Sequence, residues 1–76
     1  MSYGYSQNLV RANKEANARS LGVALGRLCI RSGISVLEVS KLFGVSRMAV
    51  YNWFRGASAP RPEIAERIKD FIVKHK

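Results

Sequence analysis

Apolar residues recur at helical spacing along most of this chain. Leu21, Leu25, Leu28 and Cys29 fall at i, i+4, i+7 and i+8, and Ile64, Ile68, Phe71 and Ile72 repeat the same series. Each series lays an apolar stripe along one side of a helix. The first predicts a helix from about residue 17 to Ser32, ended by Gly33 and with Arg31 favourable beside its carbonyl end. Gly22 and Gly26 each cost this helix about 1 kcal/mol against alanine. Four residues apart, they share a face that another helix can approach closely. The second series predicts a helix that begins near Pro62, a residue suited to the first helical turn. Lys74, His75 and Lys76 lie at its carbonyl end.

Between these two helices the pattern tightens into two shorter ones. Ser35 caps the first, and Glu38 stands three residues later, where it completes a capping box. Val36, Val39, Leu42 and Phe43 form its expected apolar face, and Ile34 holds the place of a hydrophobic staple. Gly44 falls where this helix must stop, Val45 is the expected plug of the corner, and Ser46 caps the next helix. Ala49, Val50, Trp53 and Phe54 are the apolar positions of that helix, with Ala49 or Phe54 at the edge of the buried face. Gly56 closes it. Two short helices joined by a glycine-centred turn make a helix-turn-helix, whose second helix is shaped to enter a DNA major groove.

The stretch from Ser35 to Gly56 resembles the helix-turn-helix of the phage Cro/repressor family, the XRE-like regulators. The matching residues are the Ser35–Glu38 box, small Ser40, Gly44-Val45-Ser46 at the turn, Val50, and Trp53-Phe54-Arg55-Gly56 followed by Pro60. The family usually carries alanine where this chain has Ser40, a residue of nearly the same size. The resemblance implies an all-α, lambda-repressor-like fold. The bundle has four helices, or five if the N-terminal segment adds one. The chain divides into an N-terminal arm over 1–16, flexible or weakly helical, and a DNA-binding domain over 17–76 with its motif at 35–56. In the arm, Leu9, Val10 and Ala16 give a weak helical pattern diluted by Asn8, Asn13 and Asn17. Its functional reading is a DNA contact through Arg11 and Lys14, or a protein contact through Tyr3, Tyr5 and Leu9. Its plain reading is a frayed extension of the next helix.

Charge sharpens this picture. Thirteen Lys and Arg stand against five Asp and Glu in 76 residues, a formal net charge of +8 and a pI near 10.4. That excess calls for a polyanion, most simply nucleic acid. The basic residues are scattered through a globular pattern instead of gathered on one membrane-binding amphipathic helix. One cysteine and one histidine exclude a disulfide framework and a Cys/His zinc site. No metal, cofactor or small-molecule substrate is expected. No apolar run reaches membrane-spanning length, so a cytoplasmic, nucleoid-associated protein is expected. No His/Asp/Ser or paired-carboxylate constellation points to an enzyme.

On the second helix of the motif, the face opposite the apolar positions carries Arg47, Met48, Tyr51, Asn52 and Arg55. These are groove-reading chemistries: Arg for guanine, Asn for adenine, apolar contact for the thymine methyl. Arg47, Met48 and Tyr51 are the expected base readers, and Asn52 reads a base or holds a phosphate. Ser46, at the helix start, with Lys41, Arg55, Arg61 and Arg31 are the expected phosphate contacts. The function implied is a sequence-specific double-stranded DNA-binding regulator of phage or mobile-element type, acting by occupying an operator. Alternatives are a DNA-recognition accessory in recombination or packaging, or a protein-binding module such as an antitoxin or host-enzyme inhibitor. Homodimerisation on a palindromic operator would use the arm, the Gly22/Gly26 face or the C-terminal helix.

Overall fold

The computed structural model describes residues 6–16 and 20–75. Among them all regular structure is helical: α1 (Gln7–Glu15), α2 (Leu21–Ser32), α3 (Val36–Phe43), α4 (Arg47–Phe54) and α5 (Pro62–Lys74). Tyr3 and Tyr5 of the expected arm, residues 17–19 at the expected start of the second helix, and Lys76 lie outside the described residues.

Local chemistry places the helix ends where the sequence signals stand. Ser35 accepts from the Glu38 amide and the Glu38 carboxylate accepts from the Ser35 amide, which completes the capping box of α3. Ser46 accepts from Ala49 at the start of α4. Gly33 and Gly44 follow α2 and α3 in the left-handed conformation, at φ 75° and 67°, where a Cβ would be penalised. One helix start was less legible. Ser6 accepts from the Leu9 amide and so caps α1.

α2 is the hub of the bundle and packs on α1, α4 and α5, while α3 packs on α4. Leu25, Cys29, Val39, Val50, Phe54 and Ile68 are essentially without solvent exposure at the centre. The close-approach face predicted at Gly22 and Gly26 is real, and α4 is what approaches. A Cβ at Gly22 would stand 2.7 Å from the Trp53 Cβ and 2.9 Å from the Trp53 carbonyl oxygen. A Cβ at Gly26 would stand 2.6 Å from the Asn13 side-chain nitrogen and 2.8 Å from Phe54. Because α4 and α1 cover it, this face is not an open surface for a second copy of the chain.

One expectation along the motif is corrected, and one choice between two residues is resolved. Leu42 is half exposed, and Ser40 is buried in its place, because Val36, Val39, Ser40 and Phe43 are the i, i+3, i+4, i+7 series that faces the core. Of the two candidates for the edge of α4, Phe54 is fully buried and Ala49 is half-buried. Val45 is also half-buried, packed against the core from the turn. On α5, Phe71 meets Phe43 edge-to-face with ring centroids 5.9 Å apart. Arg67 lies over the same Phe43 ring, 5.4 Å from its centre, and donates to the Leu42 carbonyl at 2.8 Å. That strut joins the end of α3 to α5 through both charge and ring.

α1 belongs to the same core. Leu9 is buried in it, and Asn13, one turn on, is buried beside it. The Asn13 amide donates to the Val23 carbonyl at 3.2 Å and to the Phe54 carbonyl at 2.6 Å. The second of these bonds serves a carbonyl at the end of α4, where helix carbonyls lack an internal partner. Arg27 then reaches back from α2 to the carbonyls of Asn13, Lys14 and Ala16 at 3.1–3.4 Å. A cation over the last-turn carbonyls of α1 is favourable for the helix dipole. Among the described residues, every buried side-chain nitrogen and oxygen has a hydrogen-bond partner.

Candidate nucleic-acid interface

Burial on α4 is one-sided. Val50, Trp53 and Phe54 are buried, while Arg47, Met48, Tyr51 and Arg55 are exposed and Asn52 is half-buried. Met48 is 65% exposed and Tyr51 40%, large values for an apolar and an aromatic side chain on a helix that is otherwise packed. The Arg55 guanidinium donates to the Asn52 side-chain oxygen at 3.0 Å. That bond occupies the Asn52 oxygen and leaves its NH2 group on the other side of the amide. Asn52 is tied to the end of the helix a second way, since its backbone carbonyl accepts from Ala57 at 2.8 Å and from Ser58 at 3.3 Å.

The residues expected to hold phosphates fall into four places, Arg55 being at the end of α4. Ser46 and Arg61 line one groove with Gly44, Val45, Ala49 and Ile64, so the turn before α4 and the loop after it converge there. Lys41 is exposed on α3. Arg31 lies elsewhere, in a groove between α1 and α2 that it shares with Lys14 and Arg27. The structure thus brings Ser46 and Arg61 together and puts Arg31 with a separate basic group.

A third groove lies between α1 and α4. Met48, Tyr51 and Asn52 of α4, with Arg55 at its C-terminal end, face Asn8, Leu9 and Ala12 of α1 and its cap Ser6 across an open channel of about 500 Å³. In the sequence Asn8 only diluted a weak helical pattern. The available signal was Ser6 three residues before Leu9, which marks a cap and fixes where α1 begins.

Cys29 is buried in the core and its thiol is pushed up to about 12, by burial and then by the negative charge of Glu38. It is an inert packing residue at neutral pH. His75 stacks on Phe71 with ring centroids 4.0 Å apart, and its Nδ1 lies 2.9 Å from the Phe71 carbonyl. Among the described residues no cluster of His, Cys, Asp and Glu could hold a metal ion, and no helix is long and apolar enough to cross a membrane.

This arrangement defines a helical DNA-binding module in which one short helix is packed on one side and chemically equipped on the other. A helix-turn-helix family model matches residues 25–71, from the middle of α2 into α5. The chain belongs to that family, the XRE-like helix-turn-helix DNA-binding regulators. No curated protein and no solved structure matches the chain.

Proposed function

We propose that this protein is a sequence-specific double-stranded DNA-binding regulator of phage or mobile-element type that inserts α4 into the major groove and acts by occupancy, without catalysis. The observation that carries this reading is the one-sided burial of α4. The helix spends Val50, Trp53 and Phe54 on the core and leaves Arg47, Met48 and Tyr51 in solvent. An exposed methionine and tyrosine beside an arginine put apolar, aromatic and bidentate donor chemistry on one outward face. Base edges in a major groove match that chemistry.

In this reading Arg47, Met48 and Tyr51 touch base edges, and the amide of Asn52 reaches a base or a phosphate. Ser46 and Arg61 hold one phosphate strand from the groove they share. Lys41 and Arg55 add charge on either side of α4, while Arg31 contributes to the field of the surface from its place beside Lys14 and Arg27. A homodimer on a palindromic operator would place two copies of α4 about one helical turn apart.

Selection of bound sequences from random duplex DNA tests the proposal. A palindromic consensus supports a dimeric regulator, and a single half-site supports a monomer. No enrichment over the starting pool would remove sequence-specific DNA binding and favour the protein-binding alternative.

A further inference from the structure

α1 is fixed against α4 in a definite direction. Asn13 bonds the Phe54 carbonyl at the end of α4, and a Cβ on Gly56 would sit 3.3 Å from the Ala16 Cβ. The two helices therefore meet at their C-terminal ends. The N-terminal half of α1 and the length of α4 flank the open channel that Ser6, Asn8, Leu9 and Ala12 share with Met48, Tyr51, Asn52 and Arg55. Arg27 and Asn13 lock this geometry from α2 and from within α1.

At about 100° per residue, Met48, Tyr51, Asn52 and Arg55 lie on one flank of α4, and Ser46, Ala49 and Trp53 on the other. The second flank borders the groove that holds Ser46 and Arg61. α4 thus stands between two grooves, as a helix in a major groove stands between two sugar–phosphate strands. We infer that the α1 rim of this channel borders one of those strands, with Asn8 as a phosphate-contacting residue, while Met48 and Tyr51 on the α4 side stay with the base edges and the Ser46/Arg61 groove seats the other strand. The inference rests on the reading of α4 as the recognition helix.

The lining fits a nucleic-acid backbone better than a protein helix. It contains no carboxylate and carries one cation, Arg55, with neutral hydrogen-bonding groups at Ser6, Asn8, Tyr51 and Asn52. Leu9 and Ala12 give its α1 side an apolar surface of the kind on which deoxyribose can lie. The chain as a whole carries +8, so an anionic occupant is favoured over an acid-poor one.

The test compares Asn8→Asp with Gln7→Glu on duplex DNA, using both the selected site and an unrelated sequence. Both variants place one acid in the first turn of α1, where it suits the helix dipole, and thermal melting checks that both stay folded. Gln7 is exposed and lies outside the channel. Asn8→Asp should weaken binding to both duplexes about tenfold more than Gln7→Glu, because it replaces a phosphate contact by a repulsion. A second measurement does not depend on affinity. A DNA-cleaving iron chelate tethered at Asn8→Cys should cut within the footprint, and buried Cys29 will not take the label. If wild-type protein binds the selected site, equal effects of the two acidic variants, or no cutting within the footprint, would overturn the inference. The channel would then be left to a protein occupant, with the reading of α4 intact. Wild-type protein that binds neither duplex would overturn both.

Discussion

At the scale of single residues, fit at glycine and asparagine positions decides more than helix propensity does. Gly22 is a position where two effects oppose each other. Gly22→Ala gains about 1 kcal/mol of helix propensity, yet its methyl would press on the Trp53 Cβ, Cα and carbonyl oxygen within 2.7–3.0 Å. Those atoms cannot swing aside as a flexible side chain would, so overpacking on the order of 1–3 kcal/mol should win. The expected outcome is a lower melting temperature, and a rise would show that α2 and α4 are not in this register. Gly26 has a different reason to be glycine, since it makes room for the Asn13 amide. Cys29 gives a prediction in pH. Its thiol stands near 12 in the folded chain, raised from 9.0 by burial and then by Glu38. Between those values the unfolded chain has released a proton that the folded chain still holds. Stability must therefore fall as pH rises above about 9. Urea unfolding from pH 8 to 10 should show a shallower decline for Cys29→Ala than for the wild type. Equal slopes would mean that the thiol reaches solvent.

At the scale of elements, the helix-turn-helix was legible because its signals are local: a capping box, a glycine stop, a serine cap and an apolar series within each helix. α5 was legible for the same reason, from Pro62 and the Ile64–Ile72 series. α1 was only faintly so. Its inward face pairs Leu9 with Asn13, and a buried asparagine reads as a break in the apolar pattern unless the carbonyls that receive it, at Val23 and Phe54, are known. Arg27 was equally opaque, because a guanidinium outside the apolar stripe looks solvated until the end of α1 is placed beneath it. The position of Leu42 failed on one step of 100°, which separates a core residue from a half-exposed one. The recognition surface was legible as a complement, since what the core does not use on α4 must face out. That surface and the Arg61 loop predict different kinds of loss. A group on a base edge discriminates between sequences, and a group on a phosphate does not. Arg47→Ala should lose roughly 1–3 kcal/mol on the preferred site and relax preference at one base pair. Arg61→Ala should weaken preferred and unrelated duplexes by similar factors. Both residues are exposed and outside the core, so melting temperature serves as the control. Equal loss on every sequence for Arg47→Ala would move Arg47 from the reading face to the clamp.

At the scale of the whole molecule, the balance of charge decides how the protein meets its target. A net +8 on 76 residues is more than any one groove can use. The basic side chains are distributed over the Ser46/Arg61 groove, the exposed face of α3 at Lys41, the α1/α4 channel at Arg55, and the α1/α2 groove with Lys14, Arg27 and Arg31. Only one ion pair stands among the described residues, Lys69 with Glu66 at 3.1 Å, and both partners are largely exposed. It neutralises little of the excess, so most of the positive charge is available to a polyanion. Each phosphate neutralised releases condensed counterions, and the logarithm of the binding constant falls with the logarithm of salt by about 0.9 per contact. If each protomer engages about 4–6 phosphates, a dimer should show a slope of about −7 to −11, and a monomer half that. Arg31→Ala then separates two kinds of charge. A residue in direct phosphate contact should reduce the slope by about one unit. A residue that acts through the field, as the separation of Arg31 from α4 implies, should lower affinity at low salt and leave the slope nearly unchanged. The measurement is a titration of duplex DNA at several salt concentrations for wild type, Arg61→Ala and Arg31→Ala. A unit drop for Arg61→Ala with little change for Arg31→Ala is the expected result. The reverse ordering would put the DNA over the α1/α2 groove and away from the turn before α4.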